Sequence, residues 1–202
     1  EHLPVYWEDA LRERNLQVKI DQENWFWSGC LPTGQLGSYE ALTAAVLDTQ
    51  GEPISHWWPV ASSLQQISDP RAVSALLTLL QTEAAFTPAF AARGLGALKS
   101  LAAVEPLMRI VEQNRSNLVL GVQSIRALAA IGDKQAVPFI FAVAQNNNVP
   151  LAFRLEAVSA IGIFEHEGSV EVLLNLLSAR SPALRAAAMS SLGRVDPETF
   201  II

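Results

Sequence analysis

One cysteine, Cys30, stands among 202 residues, so the chain can form neither an internal disulfide nor a cysteine metal cluster. Cys30 reads as a small buried apolar residue. Histidine is scarce too: His2, His56 and His166 are scattered along the sequence. No stretch approaches the ~18 to 20 uninterrupted apolar residues of a membrane-spanning helix, and the opening EHLPVYWEDALRER is not a signal peptide. Cations are outnumbered, with 14 Lys and Arg against 20 Asp and Glu, for a net charge of -6. A protein that follows a phosphate backbone needs a cation surplus to release counterions, so nucleic acid is disfavoured as the ligand. The imbalance sits in residues 1–58, where nine acids face Arg12, Arg14 and Lys19; beyond them the charges cancel. None of this fixes a compartment, and the reading leans to the cytoplasm.

What the chain has instead is a period. Apolar residues at i, i+3, i+4 and i+7 mark one face of a helix. Such sets begin at Leu42, Val73, Val104, Val137 and Val170, spaced by 31, 31, 33 and 33 residues. Each is followed by a second amphipathic helix, and these close on Ile67, Leu101, Ile131, Ile161 and Leu192. In the last three copies the next residue is Gly132, Gly162 or Gly193, the residue type that stops a helix in a left-handed conformation. Asp133 then stands ready to accept from the open amides of the following helix. The spacing predicts helices near 70–82 and 88–101, 103–114 and 118–131, 135–145 and 150–161, 169–179 and 182–192, after a first pair near 38–49 and 55–67. A fixed repeat of helix pairs implies an all-α fold, an alpha-alpha superhelix of about five pairs.

The segments IRALAAIGDKQAVPFI, RLEAVSAIG and LRAAAMSSLGRVDPE resemble HEAT repeats of the short, PBS-lyase HEAT-like type. In those repeats a helix rich in small residues ends in a hydrophobic-Gly pair, and an acidic corner leads into the next helix. The resemblance implies a HEAT-like solenoid over residues 38–202, with residues 1–37 as an irregular, aromatic-rich extension or cap. It is specific for architecture and not for activity. Asp196-Pro197-Glu198 repeats the opening Asp69-Pro70-Arg71, so Thr199 to Ile202 are expected to begin a sixth unit, and further repeats of a longer chain, or another chain, to pack on that end. The missing initiator Met fits the same expectation of a processed or excised piece.

All five tryptophans, Trp7, Trp25, Trp27, Trp57 and Trp58, fall in the first 58 residues. A solenoid's outer helix pair has no neighbour on one side, so bulky aromatics there read first as a cap. The sharper reading makes His56, Trp57 and Trp58 a binding surface, since indole joins a large apolar area to one donor.

Motifs for chemistry are thin. No HExxH, GxSxG or GxxxxGK[ST] occurs. Glu165-His166-Glu167 is a single His-Glu cluster in a corner, whereas the di-iron site of deoxyhypusine hydroxylase, on a related scaffold, takes repeated His-Glu pairs; a solvated turn is the expectation. Gly94-Leu95-Gly96 falls within a helix and reads as close packing rather than a dinucleotide loop. Arg154 and Arg185 both stand seven residues before their helix-closing residues, Ile161 and Leu192. In the HEAT pattern such arginines pair with corner acids, here Asp133 and Asp196. Alternatively they, with the offset Arg93 and Arg126, form a row that receives carboxylates on the inner face.

The reading therefore leans away from an enzyme and calls for no cofactor or metal. It favours a scaffold whose concave second-helix face binds a protein or peptide. The resemblance implies the alternative, a phycobilin-lyase-like HEAT protein that acts on or chaperones a tetrapyrrole; a HEAT-like DNA glycosylase is opposed by the charge balance.

Overall fold

The computed structural model describes residues 70–84, 86–113, 115–164 and 166–196. The N-terminal extension, the first helix pair, Cys30, all five tryptophans and the tail from Pro197 lie outside the described residues. The described part holds eight α-helices, one short 3-10 helix and no strand. It divides after Leu98 into two units.

In the first unit, α1 (Ala72–Leu80) packs against α2 (Thr87–Ala97) as a pair. The expected inward set began at Val73, but Ala72, Ala75, Leu76 and Leu79 are fully buried while Val73 and Leu77 are half-buried. Alanines on the contact line let α2, itself rich in Ala and Gly, approach closely, and this turns the buried face by one residue. Gly94, Leu95 and Gly96 are buried within α2, where no phosphate-binding loop can form. That helix stops at Ala97 rather than at Leu101. Lys99 takes φ 49° and turns the chain, and Leu101, 66% exposed, belongs to a 3-10 turn, Leu101–Ala103.

The second unit carries three helix pairs. These are α3 (Val104–Gln113) with α4 (Leu118–Ile131), α5 (Ala136–Gln145) with α6 (Leu151–Ile161), and α7 (Ser169–Leu176) with α8 (Pro182–Val195). Local chemistry sets the boundaries. The Asn117 side chain accepts from the Leu120 amide at 3.1 Å and opens α4. Asp133 Oδ1 accepts from the Gln135 amide at 2.7 Å in the corner before α5, and Pro182 occupies the first turn of α8, where its missing amide costs little.

The three register glycines are not equivalent. Gly132 ends α4 with φ 72° and donates its amide to the Leu128 carbonyl. Gly162 caps α6 in the right-handed region, and α8 runs through Gly193 to Val195. Only the first is the left-handed stop that the sequence suggested at all three.

Within this unit the second helices carry the stack. Contacts of α6 with α4 and with α8 are extensive, whereas α5 barely touches α3 and α7. Second helices thus make the tighter, inner layer and first helices the looser, outer one. Phe153 of α6 is fully buried and its ring rests on Gly121 of α4; a Cβ there would lie 1.9 Å from Cζ. Ser191 of α8 stands against Gly162 at the end of α6 and donates to the Val158 carbonyl at 2.9 Å. Because these links join residues about one repeat apart, α4, α6 and α8 run parallel and in register. No helix among the described residues is long and apolar enough to cross a membrane.

Candidate functional site: the second-helix row

Small residues on α4, α6 and α8 let these helices approach one another, and what they leave at the surface is a mixed face. On α4 it includes the exposed Val119, Arg126 and Ala130, with Gln123 half-buried; on α6 it includes Glu156 and Ser159. At its centre Arg126 Nε and Nη2 donate to the two carboxylate oxygens of Glu156, each at 2.9 Å. This planar fork spans from α4 to α6. The Glu156 hydrogen bond raises the Arg126 pKa above its ordinary value; burial opposes the rise, and the carboxylate's charge adds to it. Since the side chains are 57% and 22% exposed, the pair is screened by solvent and contributes about 0.5–1 kcal/mol.

Arg154 and Arg185 do something else. Arg154 Nε donates to the Ala144 carbonyl at 3.1 Å, and Arg185 Nη1 to the carbonyls of Ala179 and Arg180 at 2.9 and 3.1 Å. Each arginine reaches back to the chain just before its own helix and holds the corner shut, satisfying carbonyls that a helix end or a turn leaves open. The expected partner Asp133 is occupied with the Gln135 amide instead. A backbone acceptor carries no mark in a sequence, which is why corner acids looked like the natural partners. Arg93 is exposed on α2 of the first unit. His56, Trp57 and Trp58 lie outside the described residues.

Glu156 escaped the sequence reading although a signal was there. It stands five residues before Ile161, as Arg126 stands five before Ile131, so the repeat register itself aligns the two across adjacent helices. In the next corner, His166 Nδ1 accepts from the Gly168 amide at 3.1 Å and the ring meets Phe141 edge-on, with centroids 5.5 Å apart. The imidazole is thereby a turn-forming group whose Nδ1 lone pair is in use.

Comparison with known proteins bears on this arrangement. Residues 122–193, covering most of α4 through α8, match the HEAT repeats model, and residues 89–113 match the PBS lyase HEAT-like repeat. Among curated proteins none matches in sequence. Among solved structures, the chain is similar to one in the complex of CpcE and CpcF of phycocyanin lyase from Nostoc sp. PCC7120, with 22% identity and a TM-score of 0.51. That likeness covers 77% of this chain and 64% of the other, and at this identity it is a likeness of fold.

Proposed function

Because this chain is a HEAT-repeat protein with repeats of the PBS-lyase HEAT-like type, we propose that it works as a phycobilin-lyase-like subunit, engaging a protein partner and handling a tetrapyrrole. The observation that carries this reading is the similarity of fold over 77% of the chain to a chain from the CpcE–CpcF complex. The repeat type points the same way. A stacked second-helix layer offers a continuous surface on which a partner can lie, and the Arg126–Glu156 fork links two of its helices across that surface.

The test uses the full chain mixed with a free bilin, read by visible absorbance and induced circular dichroism. A shifted band with induced ellipticity, saturating below ~100 µM, is the expected result. A spectrum that stays the sum of its components overturns the pigment part of the reading. The second reading, a HEAT scaffold that binds a protein without acting on a pigment, is favoured by the intramolecular engagement of Arg126, Arg154 and Arg185, which fits a building role. It predicts capture of a protein partner by a chain that leaves the bilin spectrum unchanged.

A further inference from the structure

The balanced charge beyond residue 58 conceals a polarity. Since α4, α6 and α8 run parallel, their starts lie along one edge of the second unit, with the corners 115–117, 146–150 and 177–181. Arg115 Nη1 donates to the Asn148 carbonyl at 3.4 Å, which joins the first of these corners to the second. Arg115, Arg154, Arg180 and Arg185 stand on this edge, and Glu112 is the one carboxylate there among the described residues. Along the opposite edge the balance reverses, less steeply: Glu105, Asp133, Glu167, Glu171 and Asp196 face Lys99, Lys134 and Arg194, and Glu105 is paired with Arg109 at 2.7 Å.

The cationic edge also carries apolar groups in the open. Leu118, Val119 and Leu151 are large hydrophobics exposed at the starts of α4 and α6. Between the flanking arginines, the middle corner presents Asn146, Asn147 and Asn148, all exposed. Asn146 Oδ1 accepts from the Asn148 amide at 2.9 Å and so shapes the corner, while the carboxamides of Asn147 and Asn148 offer an acceptor and two donors each, the complement of a peptide group.

We infer that this edge is a docking strip for an acidic polypeptide segment with interspersed apolar side chains. Arg115 and Arg180 receive carboxylates at its two ends, Leu118, Val119 and Leu151 receive the apolar groups, and the asparagine corner lies along the backbone between them. Helices that pack ~8–10 Å apart place three successive starts over ~16–20 Å, which an extended strand covers with roughly five or six residues. A phosphodiester strand fits less well, because it needs cations along its whole length and aromatic faces on which its bases can stack, whereas the exposed apolar groups here, Leu118, Val119 and Leu151, are aliphatic. This inference goes beyond the pigment reading and does not depend on it.

The experiment titrates a fluorescein-labelled ten-residue peptide of Glu with interspersed Leu into the full chain at low salt and reads anisotropy. Oligothymidine and a Lys/Leu peptide of equal length serve as controls. The wild type is expected to bind the acidic peptide with a Kd below ~100 µM. Charge reversal at the two end arginines, Arg115→Glu with Arg180→Glu, should weaken binding at least about tenfold, and Lys134→Glu on the opposite edge should leave it unchanged. Circular dichroism confirms that the variants remain helical; should the double variant unfold, Arg180→Glu alone is read instead. No binding by the wild type, equal binding of oligothymidine, or an affinity unmoved by the reversal would overturn the inference. Since no bilin is present, failure here and failure of the pigment reading are separate results.

Discussion

At Gly121 the absence of a side chain is what lets Phe153 in. A methyl group there would fall within 1.9–2.6 Å of three ring atoms of a fully buried phenylalanine, and a ring so enclosed cannot swing aside without moving its neighbours. Gly121→Ala is expected to lower stability by ~1–3 kcal/mol in urea unfolding. The contact itself is tested by combining it with Phe153→Leu: the double variant should lose less than the two single losses together, whereas strict additivity would show that the ring is not the obstacle. Gly132 and Gly193, which look alike in the sequence, should part company. Alanine at Gly132 must adopt φ 72° and should cost about 1 kcal/mol. Alanine at Gly193 enters a helix where nothing lies within 4 Å of the new methyl, and should stabilise by ~0.5–1 kcal/mol. Thermal melts of the two variants moving in the same direction would refute the distinction.

Helices were legible because burial writes a period into the sequence. The residues closing α4 and α6, Ile131 and Ile161, were read at their true positions, and the α4 and α6 starts to within one residue. What holds one helix to the next was less legible, for a physical reason. Many of the links end on backbone carbonyls, which every residue carries: Arg154 on Ala144, Arg185 on Ala179, Ser191 on Val158. Of the interhelical fork the sequence pointed only to Arg126, as one member of an arginine row expected to receive carboxylates, while Glu156, the carboxylate it pairs with, stood unmarked. These carbonyl bonds make a prediction for the elements they join. Arg154→Lys keeps the charge but loses the Nε donor and its fixed plane, and should cost about 1 kcal/mol. Amide exchange should then rise at the end of α5 and leave α3 unchanged. An even loss of protection over both helices would mean that Arg154 acts on the whole unit rather than on its corner.

A stack of repeats is stabilised mainly between neighbours, so one register position should matter in proportion to what lies on it. Leu128, Val158 and Met189 hold the same place, three residues before Ile131, Ile161 and Leu192. Leu128 and Val158 are fully buried, each on a helix that the next second helix covers, while Met189 on α8 is 52% exposed. Leu128→Ala should therefore cost ~2–5 kcal/mol, as a cavity in a packed core does, and Met189→Ala less than about 1 kcal/mol, within the range of surface changes. The comparison is informative because the two substitutions differ little in chemistry and share one register. It is best made by denaturant unfolding at two protein concentrations. If Met189→Ala proves as costly as Leu128→Ala, the face of α8 is covered in solution. A cost that then grows with concentration would assign the cover to a second copy, and one independent of concentration would assign it to the chain itself.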